Sequence, residues 1–578
     1  MSFGNSYSQV RRLFVGSAIL VVLVRILGPF PIGWDQSVQL EAAHRVVSGN
    51  GLTTTYSATP ERNINTKPTP KVLTHYPPTF SLIVAAGLWF GIPLVVFLKC
   101  LYSVVTLVGW TAWGTVGQHV MTRSSRIGGR AVPLQYAIAC ILPLFVTPRW
   151  SGTDIFLWLG VPLIVILVQR RKSSQVVDTW SVASAGLVSG LAVSIRYTSL
   201  FTLVLGAFLL FQAYGGIARR LLRSYAVFGA ASLAVIALVG LLNQTVDGYL
   251  GLPEFIGDSY GRTTFSESVD RLSSSLSAMS VLFGYRPSQI VVGAARAVPT
   301  VNHLYGWLWL IVVASLPLVL YRRGRSEGQD PRRDFTLALS LVQCSLVLFL
   351  IAATSSPATE GVGGFRFYVP AGPAGILIVY RLLHHRGQLS VGGSRVLAGA
   401  LCLFLVISVG LAGLTIYPLI SRGSVEVLGR DVRARDLVQP VLGFSPGSYP
   451  DGYVTYPSSE AMAPFQDSVR ELRELKAKHP EAVMYVGTGY PYFAYDGYKG
   501  FRRVPDKDFW EGAFAAADVT TYWLVHESCP TVCIQDDVER PVIDEARWQT
   551  CFQPVSSFPH ERTKIVKCTV RGSHRFSG

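Results

Sequence analysis

The sequence predicts a polytopic α-helical membrane protein of about eleven transmembrane helices, followed by a C-terminal extracytoplasmic α/β domain. Three observations predict this. Hydrophobic residues make up 50% of the 578, and charged residues only 15%, against about 25% charged in soluble domains. Apolar runs recur from Leu13 to Ile420, many of them near the ~20 residues that span a hydrocarbon core of about 30 Å. The basic residues gather in short stretches between those runs, as cytoplasmic loops do.

These clusters fix the order of crossings. They are Arg11 and Arg12; Arg123, Arg126 and Arg130; Arg170, Arg171 and Lys172; Arg219, Arg220 and Arg223; Arg322, Arg323 and Arg325; and Arg381 with Arg386. With the N-terminus inside, the run Leu13–Phe30 exits and the Asp35 loop is external. No small-residue cleavage site follows this run, so it reads as an anchor and not a removed signal. A half-crossing at Thr79–Phe90 and a full one at Pro93–Gln118 return the chain to the Arg123 cluster. Val132–Val146 exits and Ile155–Gln169 re-enters. Val182–Phe211 is long enough for two crossings, with Arg196 at the outer turn. Tyr225–Leu242 exits; the polar segment Asn243–His303 is then external; Tyr305–Leu320 re-enters. Phe335–Ala353, Tyr368–Leu383 and Val396–Ile420 complete the series. Every basic cluster then lies inside, and the odd count leaves the C-terminus outside.

The chain thus divides at about residue 421. Residues 1–421 form the multi-pass domain. Residues 422–578 turn polar and mixed. Within them Asp467–Lys478, Asp508–Ala517 and Ile543–Gln549 read as helices. Ala482–Gly487 and Thr520–Val525 read as buried strands, and Lys564–Val570 alternates like an edge strand. Helix alternating with strand predicts an α/β layer domain.

The net charge of +16 is accounted for by these loops and by contact with anionic lipid. Nucleic acid is therefore excluded as a partner. Cysteines divide the same way. Cys100, Cys140, Cys344 and Cys402 fall in apolar helices, where a thiol acts as a small hydrophobe. Cys529, Cys533, Cys551 and Cys568 fall in the C-terminal part, where an oxidising compartment would pair them, with three pairings open. Cys529-x-x-x-Cys533 lacks the second matching pair that a zinc site needs.

Chemistry concentrates on the outer face. Asp35, Lys99, Asp154, Arg196 and Arg366 all fall near the external ends of their segments. Charges in a bilayer are costly and face a cavity or a partner, so their collection at one face predicts one polar cavity. Lys99 is the exception, expected to snorkel its ammonium to the head groups. Asp154, with its short side chain, cannot snorkel. It closes Arg149-Trp150-Ser151-Gly152-Thr153-Asp154, a turn holding a cation, an aromatic and an acid. Asp35 has three readings: surface solvation, a helix cap or a catalytic base. Gln36–Val47 has the spacing of an amphipathic helix, with Val38, Leu40, Ala42, Ala43, Val46 and Val47 apolar. His75-Tyr76-Pro77-Pro78 cannot be helical through its prolines and makes a rigid lead-in to the next segment.

In this order the residues resemble a known class. Gly33-x-Asp35, Ala42-Ala43, Gly49-x-Gly51-Leu52 and Tyr76-Pro77-Pro78-Thr79-Phe80 are similar to the opening of the GT-C membrane glycosyltransferases. That superfamily includes protein O-mannosyltransferases and the lipid A aminoarabinose transferase. Asp154, Arg196-Tyr197-Thr198 and Arg366-Phe367-Tyr368 resemble its later elements. The resemblance covers roughly the first 420 residues. It implies inverting transfer of a sugar from a polyprenyl-phosphate donor to an acceptor hydroxyl on a glycan, lipid or protein. Asp35 would be the base. Asp154, Arg196, Arg366, Tyr76 and His75 would bind substrate or lipid phosphate. A divalent cation held by Asp35 and Asp154 is compatible with this, although two carboxylates alone do not make a metal site. One departure is that many relatives carry paired acids where this chain has Asp35-Gln36.

Two other classes compete. A secondary transporter or lipid flippase would show repeat symmetry and polar residues at broken helices near the midplane, and neither is evident. A membrane scaffold would leave the one-sided array of acids and arginines without a role.

Overall fold

The computed structural model describes residues 30–32, 34–54, 71–73, 76–122, 155–169, 177–214, 218–247, 299–326, 334–353 and 370–385. Towards the C-terminus it describes 425–427, 430–432, 454–456, 466–486, 499–500, 519–526, 533–534, 537–541, 552–559 and 563–570, with a few single residues elsewhere. These fall in two compact units. One contains residues 1–27, 74–79 and 99–447; the other contains 28–73, 80–98 and 448–578.

The first unit is helical. Its elements are α3 (Leu94–Thr122, which begins in the second unit), α4 (Ile155–Gln169), α5 (Thr179–Ile195), α6 (Phe201–Tyr214), α7 (Ala218–Asp247), α8 (Pro299–Ser326), α9 (Phe335–Ala353) and α10 (Ala371–His385), followed by a hairpin of β4 (Val425–Val427) and β5 (Arg430–Val432). Among the described residues four segments are long and apolar enough to cross a membrane: Val96–Val120, Tyr197–Tyr214, Arg219–Thr245 and Gly306–Ser326. Their composition agrees with a multi-pass membrane protein. The expected crossings at Val132–Val146 and Val396–Ile420, and most of the first run, lie outside the described residues.

The expected break inside 182–211 is present. α5 ends at Ile195, Arg196 takes an extended conformation (φ −153°, ψ 122°), and a 3-10 turn at Tyr197–Leu200 leads into α6. Asp178 caps the start of α5, accepting from the Ser181 amide at 2.8 Å, the partner a free helix N–H requires.

Small residues bring α5 and α7 close. Gly186 and Gly190 lie one turn apart on α5. A Cβ at Gly190 would stand 2.8 Å from the Ser232 carbonyl oxygen, and one at Gly186 would fall against that of Phe228. Ser232 donates to the Gly186 carbonyl at 2.9 Å. Without a hydrophobic drive between helices in lipid, such close backbone approach is what holds two helices together. Elsewhere α7 leaves Leu222, Leu233, Leu238 and Leu241 exposed, an apolar surface suited to lipid. α3 and α4 are joined through indoles: Trp113 donates to the Trp158 carbonyl at 3.0 Å, and Trp158 to that of Thr106 at 3.3 Å. At the far end Gln169 donates to Gln212, and Gln212 to the Asp334 carbonyl, at 3.0 and 2.9 Å. That chain ties α4, α6 and the start of α9. Arg381, read from sequence as part of a cytoplasmic cluster, is buried on α10.

The second unit joins distant parts of the chain. β1 (Phe30–Ile32) pairs antiparallel with β6 (Val454–Tyr456), Pro31 opposite Thr455. After β1 come α1 (Trp34–Val47), β2 (Thr53–Thr54), β3 (Lys71–Val72) and α2 (Thr79–Trp89). α1 stops at Gly49, with φ +76°. The Gly49 amide bonds the Val46 carbonyl and the Asn50 amide that of Arg45, a helix stop that needs the left-handed region open to glycine.

The C-terminal part contributes α11 (Gln466–Lys478) and a five-stranded sheet. Its strands are β7 (Val483–Val486), β8 (Lys499–Gly500), β9 (Val519–His526), β12 (Phe552–Phe558) and β13 (Thr563–Val570), in the order β12-β13-β9-β7-β8. β7 runs parallel to β8 and β9; the other pairs are antiparallel. A separate hairpin joins β10 (Cys533–Ile534) to β11 (Asp537–Pro541). Tyr522, Trp523, Leu524 and Val525 are all buried, as in a strand covered on both faces. The helix and two buried strands read from sequence are present here. The reading of Lys564–Val570 as an edge is corrected: β13 lies between β12 and β9. The edges are β8 and β12, and Gln553, Pro554 and the serines of β12 carry no strong strand pattern. The expected helices at Asp508–Ala517 and Ile543–Gln549 lie outside the described residues. Cys568 is in a disulfide.

Candidate active site

α1 begins at Trp34, so Asp35 lies in its first turn and not at its cap. The unpaired amides there favour a negative charge. The expectation of an amphipathic surface helix is corrected. Val38, Leu40, Ala42 and Ala43 are buried as expected, but so are Gln36, Gln39 and Glu41, while Val47 is exposed. The helix is enclosed on all sides through its middle turns. Polar side chains in such a place need partners or ligands.

Glu41 is the acid that sequence reading missed. It is 1% exposed and accepts a hydrogen bond of 2.6 Å from Thr54 Oγ1. Its neighbour one turn on, Arg45, donates from Nε to Thr53 Oγ1 at 2.8 Å. Thus α1 holds β2 through one acid and one cation. In sequence Glu41 occupies what looks like the solvent side of an amphipathic helix. The available signal was the pair Thr53-Thr54 beyond the helix stop, two hydroxyls set to meet it.

Tyr76 is half-buried and Pro77 and Pro78 are buried, directly before α2 starts at Thr79. The prolines therefore end on a helix start, where a missing N–H does no harm. His75, Asp154 and Arg366 lie outside the described residues, as does the side chain of Asp35.

Arg196 is 8% exposed. Its Nε donates to Thr198 Oγ1 at 3.2 Å and its Nη1 to Thr153 Oγ1 at 3.1 Å. Thr153 is itself buried, and its carbonyl accepts from the Phe156 amide at 3.1 Å to start α4. The guanidinium therefore joins two motifs that sequence spacing keeps 43 residues apart: the Arg196-Tyr197-Thr198 element and the turn that ends at Asp154. Tyr197 accepts from Asn243 Nδ2 at 3.4 Å, linking the same element to α7.

Lys99 departs from expectation. It does not reach outward: it is 7% exposed and donates to the Ile26 carbonyl at 2.9 Å. Among the described residues no group of three His, Cys, Asp or Glu side chains assembles that could hold a metal ion.

Residues 74–352 match the model of Glycosyltransferase family 87. This segment contains Tyr76, Lys99, Asp154 and Arg196; Asp35 and Arg366 flank it. No curated protein matches the chain in sequence. In chain path it is similar to ArnT from Cupriavidus metallidurans. For the structure bound to undecaprenyl phosphate the identity is 14% and the TM-score 0.47, covering 96% of this chain and 97% of that one. For the apo structure the values are 13% and 0.49, covering 99% and 100%. It is also similar to the Archaeoglobus fulgidus oligosaccharyltransferase, at 12% identity and a TM-score of 0.46, covering 90% of this chain and 68% of that one.

Proposed function

We propose that this protein is a membrane glycosyltransferase that moves a sugar from a polyprenyl-phosphate donor to an acceptor hydroxyl on a glycan, lipid or protein outside the cytoplasm, with inversion. The observation that carries the reading is the Arg196 guanidinium held against Thr153, beside Asp154, within the family-matched segment. An arginine buried there presents planar donors suited to a phosphate. The multi-pass domain is residues 1–421, with about eleven crossings and a cytoplasmic N-terminus. Residues 422–578 form the extracytoplasmic domain.

The chemistry follows from the groups. The acceptor oxygen attacks the anomeric carbon from the side opposite the phosphate. The bond from that carbon to the phosphate oxygen breaks, and the electron pair leaves with the lipid phosphate. The acceptor proton passes to the Asp35 carboxylate. Arg196 and Arg366 take the charge that grows on the leaving phosphate. Asp154, Tyr76 and His75 place the substrates. Were a divalent cation bound, Asp35 and Asp154 would be the residues to hold it, and it would supply the same charge stabilisation.

Purified protein incubated with labelled polyprenyl-phosphate sugars tests this. Release of sugar to an acceptor, or to water, with free polyprenyl phosphate as the other product, supports it. Intact movement of the lipid between leaflets without cleavage would mean a flippase.

A further inference from the structure

α3 carries two unmatched polar groups on one buried face. Lys99 Nζ has three N–H donors and meets one acceptor, the Ile26 carbonyl, at 2.9 Å. Ser103 lies one turn further on, 4% exposed, and among the described residues its hydroxyl has no hydrogen-bond partner. Residues four apart on a helix are neighbours, about 6 Å between Cβ atoms. The next polar residue on this side, Thr106, is satisfied by the Tyr102 carbonyl at 2.6 Å. The gap is thus confined to Lys99 and Ser103.

A buried ammonium facing one neutral carbonyl lacks the counter-charge that burial requires. The Ile26 carbonyl offers only a dipole. The two remaining ammonium donors and the serine hydroxyl, adjacent along one helix face, match an anion with several acceptor oxygens. Among the described residues no carboxylate bonds Lys99, whose partner is the Ile26 carbonyl. We infer that Lys99 and Ser103 bind the phosphate of a polyprenyl-phosphate ligand, Lys99 by charge-assisted hydrogen bonds and Ser103 by one neutral bond. This rests on the lipid-phosphate donor proposed above and adds a third cationic contact for it, on α3, beside Arg196 and Arg366. The role is binding and retention of the phosphate, so it is felt before and after transfer.

The test compares full-length protein in detergent with undecaprenyl phosphate and with undecaprenol, which share the chain and differ in the phosphate. Wild type should prefer the phosphate. Lys99→Met, which keeps length and apolar stem, should lose about 10- to 100-fold of that preference. Lys99→Arg should keep most of it, and Ser103→Ala should lose about three- to tenfold. Ser103→Ala removes a single oxygen and serves if Lys99→Met does not fold. A Lys99 that only pins the end of the first helix would change thermal stability and leave the phosphate preference alone; that result, with Ser103→Ala equally silent, overturns the inference. If wild type does not distinguish phosphate from alcohol, the donor reading itself is wrong and this inference falls with it. Competition by inorganic phosphate or by phosphatidylglycerol nanodiscs as strong as that by undecaprenyl phosphate would assign the site to a free ion or a bulk head group, and would also overturn it.

Discussion

Asp35 sits in the first turn of α1, where helix amides stabilise a carboxylate. Asp35→Asn keeps the shape of the side chain and removes the capacity to accept a proton. We expect transfer to fall by about 10²- to 10⁴-fold with thermal stability nearly unchanged. Turnover near wild type would return Asp35 to a structural role. Arg196 ties Thr153 to Thr198, and the proposed function gives it a second duty, contact with the donor phosphate. Arg196→Lys keeps the charge but breaks the fork. Donor affinity should drop about tenfold, and Arg196→Ala should drop it further while lowering stability. Equal donor affinity in both variants would leave only the structural tie. Of these residues, Asp35 and Arg196 were legible because a charge beside an apolar run is rare and conspicuous. Glu41 was not, because burial of a whole helix cannot be told from a half-turn pattern of apolar residues.

At the scale of elements, the contact between α5 and α7 is the most specific. Gly186 and Gly190 were read in sequence only as part of an apolar run, yet their missing side chains set the helix separation. Gly190→Leu must push Ser232 and Val235 away, since even a Cβ would stand 2.8 and 3.0 Å from them. We expect a loss of about 1–3 kcal/mol, seen as a lower midpoint in detergent unfolding. Gly229, also on α7, has nothing within 4 Å of a built Cβ, and Gly229→Ala should be neutral or stabilising by up to about 1 kcal/mol. Equal effects at the two positions would mean that close packing does not hold this pair. The same scale explains the error at β13. Its two lysines mimic a solvated edge, but both flanks are paired and Lys567 lies over the Tyr522 ring, 5.8 Å from its centre.

At the scale of the molecule, sidedness decides whether the proposed site faces the proposed lipid-linked donor. Cys568 is already in a disulfide. With the C-terminal domain outside, intact cells treated with a reductant and then a membrane-impermeant thiol reagent should label cysteines among Cys529, Cys533, Cys551 and Cys568. Cys100 and Cys344, on α3 and α9, should stay unlabelled. Labelling of the C-terminal cysteines only after the inner membrane is opened would invert the topology and remove the outer-face site.

The sequence by itself determined the class of this protein and the position of most of its helices. Apolar length and charge spacing are one-dimensional properties, and the bilayer reads them directly. It also marked the break at Arg196, since an arginine and a threonine inside an apolar run leave the helix little choice. Tertiary structure decided what those properties do not encode. It paired β1 with β6 across more than four hundred residues, put β13 inside its sheet, and brought Arg196 to Thr153. It also turned Lys99 inward to Ile26. Each depends on which surfaces meet, and a side chain of given chemistry is solvated, paired or left waiting for a ligand only once its neighbours are in place.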